Sequence, residues 1–373
     1  MTLRHFAVAV AVATVAATAP LTSQAQTTSV VRNTLVSNLP GAATMQDKNL
    51  QNPWGIANAP GGGVWVSDNA SGLSTIYTGT GAVIPLVVTI PTASGQGVGS
   101  PTGIVWNPDV GKFQFSESGA TVSAAFIFDS EDGTISAWAP VPGAAPPKSA
   151  TMVIDNSMTG AVYKGLALGT NASGVYLFAT NFHAGTVEAY DSTFKPATLA
   201  GRFIDKQMPN GFAPFGIQNI DGDLFVTYAK QNPKKHDNVA GPGLGYVDVF
   251  STEGILLRRF AAGGPLNAPW GVVRAPFGFG PYAGQILVGN FGDGWINAFP
   301  PAGGVSTGAL NDKSGYPLVI HGLWSLVAGS GAASNPDLLY YTAGPNGEVN
   351  GDFGSLTAKV GGSTAAPGGT GWP

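Results

Sequence analysis

Oxygen-bearing side chains follow several short runs of β-forming residues, where they could coordinate a hard cation. The first run, at residues 64–67, ends in Asp68 and Asn69. Carboxylate and amide oxygens suit Ca²⁺ or Mg²⁺, and such a cation would polarise an ester carbonyl or activate water. The alternative, which we favour, is that Asp and Asn cap turns by bonding nearby backbone groups. The candidate metal ligands are Asp68, Glu117, Asn181, Asn290 and Asp293.

Aromatic residues that precede a glycine form a second set of candidates. Trp54, Phe215 and Trp270 have this position, and exposed rings there would stack on a sugar or a flat ligand. The alternative, which we again favour, is packing between neighbouring elements, because aromatic side chains bury large areas. Together with the polar residues Asn69 and Tyr228, the three rings are our candidate ligand-binding residues.

A general base at neutral pH would most naturally be a histidine, and His183 is the catalytic candidate. A triad needs Ser, His and Asp in contact, which spacing alone does not show. The sequence has no Gly-x-Ser-x-Gly elbow, no His-Glu-x-x-His motif and no Walker or dinucleotide fingerprint. The basic run at residues 230–236 is predicted to be a solvated insertion, and the alternative is that it contacts an acidic ligand.

Composition excludes several classes of protein. Charged residues make up 10% of the 373 residues, against about 25% in a typical soluble domain. The net charge of −4 gives no basic footprint for nucleic acid. The absence of cysteine rules out disulfides and zinc–thiolate sites. With 44% hydrophobic residues, the chain can build a large core.

One phrase recurs along the chain: a small or aromatic residue, then Gly, then an aliphatic residue. Each copy precedes a run of β-formers, and we assign residues 113–117 to that run in the second copy. Six copies of three or four short strands predict an all-β, six-bladed β-propeller. The six glycines are Gly55, Gly103, Gly165, Gly216, Gly271 and Gly322.

The repeats also predict how the chain is divided. A lone strand at residues 30–37 should close the ring as part of the last blade, which removes an exposed edge. Residues 1–25 have the pattern of a signal peptide with cleavage near Ala25, and residues 361–373 have the composition of a mobile tail. The predicted blades are residues 52–98, 99–160, 161–209, 210–266, 267–318, and 319–360 with 30–37.

This architecture places the candidate residues at one end of a central channel. In each blade the first strand begins, and the second strand ends, on the same face. The aromatic and oxygen-bearing sets should therefore converge around one mouth, and concave sites of this kind bind ligands.

The motifs resemble those of NHL-type six-bladed propellers. They are more similar still to a family of exported bacterial proteins of unknown function, some of which carry a PEP-CTERM sorting tail. This chain has no apolar anchor at its end, so the resemblance implies no membrane sorting. The metal candidates resemble the set that propeller lactonases of the gluconolactonase type use. The motifs are Leu35-Val36-Ser37, Asn52-Pro53-Trp54-Gly55-Ile56 and Trp65-Val66-Ser67-Asp68-Asn69.

These observations predict a secreted or periplasmic propeller that binds a small molecule, a protein or a glycan at its channel mouth. The alternatives are a lactonase or esterase that depends on Ca²⁺ or Mg²⁺, and a structural component of the cell envelope. We expect a monomer with no nucleic-acid partner and no membrane span in the mature chain.

Overall fold

The computed structural model describes residues 28–331 and 334–360. The predicted signal peptide and the predicted tail both lie outside these residues. Nearly all regular structure in the described part is β-strand, and the strands form radial sheets, as the repeats predict. The exceptions are two 3₁₀ turns at Ser157–Thr159 and Gly280–Tyr282. No helix in these residues is long and apolar enough to span a bilayer.

The strands are short because Gly, Asn, Asp and Pro interrupt each run of β-formers. The described part of the chain begins with β1 (Thr28–Ser37) and β2 (Met45–Gln46). The first blade contains β3 (Pro53–Asn58), β4 (Val64–Asp68), β5 (Leu73–Tyr77) and β6 (Val83–Thr89). The second contains β7 (Pro101–Trp106), the hairpin β8 (Gln114–Glu117) and β9 (Ala120–Ser123), β10 (Phe126–Ser130), β11 (Thr134–Trp138) and β12 (Thr151–Asp155).

Three further blades follow in chain order. The third contains β13 (Tyr163–Asn171), β14 (Gly174–Asn181) and β15 (Thr186–Asp191). The fourth contains β16 (Phe212–Ile220), β17 (Asp223–Gln231), β18 (Asn238–Val239), β19 (Gly245–Phe250) and β20 (Leu256–Ala262). The fifth contains β21 (Pro269–Arg274), β22 (Ile286–Asn290), β23 (Ile296–Phe299) and β24 (Gly308–Ala309).

The sixth blade joins the two ends of the described chain. Its inner strands are β25 (Leu323–Ala328), β26 (Leu339–Ala343) and β27 (Asp352–Val360). Strand β1 pairs antiparallel with β27, with Ser37 opposite Asp352, and Arg32 bonds Asp352 across the pair at 2.8 Å. The predicted closure by an N-terminal strand is therefore confirmed.

The glycine of the recurring phrase lets the inner strands of adjacent blades approach closely. A Cβ on Gly55 would lie 2.7 Å from the Thr102 carbonyl oxygen, and one on Gly271 would lie 2.6 Å from that of Trp324. Both distances are shorter than real Cβ contacts allow. The narrow spacing of the inner strands around the channel axis therefore explains why this position of the phrase is glycine.

Two sequence assignments need correction. In the sixth blade Leu323 pairs with Ala343, as Pro269 pairs with Asn290 in the fifth, so the phrase is centred on Ser325 rather than on Gly322. In the second blade, residues 113–117 do not form the second strand, because β7 pairs with β10 instead. The β8–β9 hairpin is an insertion between them. Both segments are runs of β-formers, and the sequence alone does not distinguish them.

The third blade has three strands, whereas the other five have a fourth strand outside the third. Its outermost strand is β15. Residues 195–197 run beside the end of β15, where the Ala197 amide donates to the Ala189 carbonyl oxygen at 2.8 Å. On the outer side of β15, no strand of the described chain pairs with its beginning, and a cleft opens there.

Candidate functional site

The mouth of the channel is ringed by one residue near the start of each innermost strand. Strand pairing shows that these positions are equivalent, because the residue before each one pairs with the neighbouring strand immediately before a shift in register. Four of the six are aromatic, as the repeated phrase predicts. The ring consists of Trp54, Thr102, Lys164, Phe215, Trp270 and Trp324.

The aromatic members of the ring pack against one another and close the channel. The rings of Trp54 and Trp324 stack with their centroids 3.4 Å apart, and Trp270 meets Trp54 edge-on at 6.1 Å. Trp54 is 3% exposed, Phe215 0% and Trp270 8%. The packing interpretation accounts for these three predicted ligand-binding residues, which form an aromatic plug.

Lys164 replaces an aromatic residue in this ring. Its side chain is 3% exposed and forms an ion pair with Glu131, while its Nζ lies 3.9 Å from an Asp237 oxygen. The same Nζ lies 5.1 Å from the centroid of the Trp54 ring, a cation–π distance. A buried ammonium is thus held between carboxylates and the aromatic plug.

Asparagine side chains from the first blade position the carboxylates around Lys164. The Asn69 amide donates to Glu131 Oε2 at 3.0 Å. The Asn52 amide donates to Glu348 Oε2 at 2.9 Å, and Asn52 Oδ1 accepts a bond from the Trp324 indole. The predicted site residue Asn69 therefore lies at the mouth, where it orients an acid.

The loop between β17 and β19 brings a histidine and another acid to the same place. His236 Nδ1 lies 2.7 Å from Asp237 Oδ1. The potential ligand atoms of Glu131, His236 and Asp237 lie within 4.8 Å of one another. Within the described residues, no other three or more His, Asp or Glu side chains come this close. We call Glu131, Lys164, His236, Asp237 and Glu348 the mouth cluster.

The pKa values of two acids in the cluster move in opposite directions. Burial raises the pKa of Glu348, and the bond from Asn52 opposes that rise only partly. Burial also acts to raise the pKa of Asp237, but the bond to His236 and the charge of Lys164 outweigh it and lower the pKa. Perturbed carboxylates of this kind concentrate at functional sites.

The predicted metal ligands are not brought together. Asp68 is fully buried, its carboxylate oxygens have no hydrogen-bond partner among the described residues, and burial raises its pKa well above the usual range. Glu117 lies on the inserted hairpin and accepts a bond from Thr151 at 2.8 Å. Asn290 donates to Asp293 at 3.1 Å inside a turn of the fifth blade, as the turn-capping alternative expects.

The other candidates also lie outside the mouth cluster. Asn181 donates to Glu188 at 2.7 Å in the third blade. Tyr228 is 4% exposed and packs in an apolar cluster with residues of the third and fourth blades. Burial, and then the charge of Asp248, raises the pKa of Tyr228 well above its usual range. His183 is partly buried, and its carbonyl oxygen accepts a 3.4 Å bond from Gln231.

Sequence reasoning missed all five residues of the mouth cluster. One signal was present: Lys164 precedes the glycine of the third phrase, where other copies have an aromatic residue. His236 was assigned to a solvated loop. Its ring is half-exposed, but the loop folds back over the mouth. Glu131 directly follows β10, the strand that pairs with β7, but the sequence assigns that position to residues 113–117 in the inserted hairpin.

The opposite end of the channel has a different character. It is a funnel of about 470 Å³ to which the inner strands of all six blades contribute. Its wall is mainly aliphatic, whereas the mouth is polar. The wall includes Ile56, Ile104, Leu166, Ile220, Val273 and Leu326.

Two viral proteins show the family of this chain. "Uncharacterized protein R648" of Acanthamoeba polyphaga mimivirus is 31% identical over 331 residues, covering 87% of this chain and 79% of that protein. "Uncharacterized protein L690" of the same virus is 32% identical over 331 residues, covering 87% and 84%. The chain belongs to the family of these two proteins. They are viral, and so give no support to the predicted relation to exported bacterial proteins with PEP-CTERM tails.

Comparison with solved structures supports the fold. A crystal structure of glucose dehydrogenase matches with a TM-score of 0.53 at 12% identity, covering 89% of this chain and all of that one. An identity this low shows the propeller fold alone. No family model matches the sequence.

Proposed function

We propose that this propeller binds a small polar ligand at the mouth cluster. One observation carries the proposal: in a chain with only 10% charged residues, five titratable side chains from four blades converge on one channel mouth. Buried ion pairs contribute little to stability, because desolvation offsets their attraction. Ligand binding would explain why these charged side chains converge on the mouth.

The chemistry of the cluster indicates the class of ligand. Three carboxylates surround one buried ammonium, and carboxylate oxygens only accept hydrogen bonds when ionised. The plug below offers little exposed ring surface for stacking. We therefore expect a ligand that presents several hydroxyl or amino groups, such as a monosaccharide, rather than a flat aromatic one.

The test is a calorimetric titration with neutral monosaccharides and with glucosamine. We expect saturable binding, and about a tenfold loss in Glu131→Gln or Asp237→Asn, since each removes a charged acceptor. Asp312→Asn is the matched control, because Asp312 caps an exposed turn through the Ser314 amide. If Glu131→Gln and Asp237→Asn bind these sugars as tightly as the wild type does, or if the wild type binds none of them, this ligand class is refuted.

A second candidate function is metal-dependent ester or lactone hydrolysis. The close approach of Glu131, His236 and Asp237 favours it, because these side chains offer the oxygen and nitrogen ligands that divalent cations use. The Lys164 ammonium opposes it, since it already neutralises Glu131. If the candidate is right, Ca²⁺ or Mg²⁺ will co-purify and EDTA will lower the melting temperature. An unchanged melt without bound metal rejects it.

We also propose that the protein is exported. The support is the basic start, apolar run and small residues at the end of residues 1–25. Mass spectrometry of the protein from its native source would give a new N-terminus near residue 26. An intact residue 1 in the secreted or periplasmic fraction would contradict cleavage.

A further inference from the structure

We propose that the third blade carries a separate binding site for a small organic ammonium ion, in a cleft beside β15. The cleft has a volume of about 640 Å³, which lies in the usual range for small-molecule pockets. It opens where the third blade lacks an outer strand. Its apolar wall includes Val187, Leu199 and Phe203, and the carboxylate of Glu188 also lines it. We call it the Glu188 cleft.

A network of buried donors holds Glu188 in place. The hydroxyls of Tyr163 and Tyr190 both lie within hydrogen-bond distance of Glu188 Oε2, at 2.5 and 2.7 Å. The Asn181 amide donates to Oε1 at 2.7 Å. Tyr163, Tyr190 and Asn181 are no more than 3% exposed. The carboxylate is therefore fixed by side chains that are themselves immobilised by packing.

Proton counting shows which way these bonds run. The Asn156 amide has two protons, and its nitrogen lies 2.6 Å from the Tyr163 hydroxyl and 2.7 Å from that of Tyr190. Each phenol accepts one of these protons and directs its own to Glu188, because the carboxylate oxygen is nearer and more strongly accepting than the other phenol oxygen, 2.9 Å away. Burial raises the pKa of both tyrosines, which keeps them protonated as donors. Glu188 thus accepts all three bonds.

This carboxylate lacks a counter-ion. Among the described residues, no Lys, Arg or His nitrogen lies within 4.0 Å of Glu188. Arg202 also lines the cleft, but it is exposed and solvent screens its charge. A partly buried charge without a partner is costly. An ammonium group in the cleft would supply the missing partner.

The free bonding capacity of Glu188 matches one ammonium group. Its Oε2 accepts two hydrogen bonds, whereas Oε1 accepts one and keeps a lone pair. An N⁺–H donor would complete Oε1 with a charge-assisted bond, while the aliphatic wall covers an apolar body. A single carboxylate and neutral phenols make a poor set of ligands for a divalent cation. The geometry therefore favours an organic cation over a metal.

The test compares phenethylammonium with 2-phenylethanol, its neutral counterpart, by calorimetry on the full protein. We expect the cation to bind about tenfold or more tightly, because a hydrogen bond to a charged group contributes more than a neutral one. This comparison needs no variant. Equal affinities, or no binding of the cation, would overturn the proposal.

Three variants locate the binding. Glu188→Gln should lower the affinity for the cation about tenfold, since it removes the charge. Leu199→Trp should block the cleft sterically while leaving the Glu188 network intact. Glu117→Gln is the control, because it removes a buried carboxylate elsewhere and should leave the affinity unchanged. Retained binding in both Glu188→Gln and Leu199→Trp would place the cation elsewhere. The outcome is independent of ligand binding at the mouth cluster.

Discussion

Asp129 makes stability depend on pH in a direction opposite to that of most carboxylates. It is fully buried in the second blade, with no basic side chain within ion-pair distance among the described residues. Thr102 Oγ1 donates to its Oδ1 at 2.8 Å, and the Gly103 amide donates to the same oxygen. Its Oδ2 has no partner. Burial outweighs these bonds and raises the pKa of Asp129 from 3.8 to about 6.

The magnitude follows from this difference in pKa. Between pH 4 and pH 6 the folded chain binds a proton that the unfolded chain has released, so the free energy of unfolding falls as pH rises. A gap of about 2 pH units at ~1.4 kcal/mol each gives a loss of about 3 kcal/mol. The loss should be complete by about pH 7.

Asp129→Asn isolates this contribution. The amide keeps an acceptor for Thr102 and Gly103 but does not ionise. We expect the stability of the variant relative to the wild type to improve by about 2.5 kcal/mol between pH 4 and pH 7.5, measured by urea unfolding. The remaining part of the effect lies below pH 4. This relative measure cancels any fixed cost of the substitution.

A control of opposite sign accompanies this measurement. The hydroxyl of Ser157 bonds Asp155 and lowers its pKa, so Asp155 contributes stability that is lost as pH falls below 4. In Asp155→Asn the deficit relative to wild type should therefore shrink at low pH. A stability difference between wild type and Asp129→Asn that stays constant from pH 4 to pH 7.5 would show that Asp129 is solvated or paired.

Three further predictions concern the ring and its mouth. Lys164→Met should lower the free energy of unfolding by about 3–5 kcal/mol, because it leaves Glu131 unpaired. Adding Glu131→Gln should recover most of that loss in a double-mutant cycle. Additive effects of the two substitutions would contradict the ion pair. Gly271→Ala should lower the free energy of unfolding by about 2–3 kcal/mol in urea, because its Cβ would meet the next blade. The control is Gly62→Ala, whose Cβ would have its nearest contact at 3.3 Å and should change stability little. Equal effects of the two substitutions would contradict the close approach of the inner strands. Deleting residues 28–37 should expose the edge of β27 and cause aggregation in size-exclusion chromatography; a monodisperse product with unchanged melting would argue against closure by β1.

Charged side chains are scarce in this protein, and the two proposed binding sites use them in different ways. The mouth cluster combines acids with a buried lysine, whereas the Glu188 cleft holds one acid among neutral donors. The first arrangement suits a ligand with several polar groups, and the second suits a single cation. The two sites lie on different parts of the ring and can be tested separately.

The sequence by itself determined the architecture. The repeated Gly phrase and the β-runs between turn residues predict six blades, and the lone strand at the N-terminus predicts the closure. These features can be predicted because each depends on neighbouring residues in the sequence. Strands require runs of β-forming residues, and turns require Gly, Asn, Asp or Pro. Each inner strand also requires a small residue at the same position. The errors arose where local signals were equal, as with residues 113–117 and β10, or weak, as with Gly322 in place of Ser325.

Only the tertiary structure decided which polar residues share a site. Glu131, Lys164, Asp237 and Glu348 span more than 200 positions in sequence, yet the closed ring brings their charges together. Asn181 is a turn-end polar residue by sequence, but its partner is set by the network around Glu188. A propeller places side chains by the angle between blades and by the paths of its long loops. The spacing of residues along one strand does not show which side chains from other blades lie beside it. The ring of blades could therefore be predicted from the sequence, whereas the residues of the mouth cluster could not.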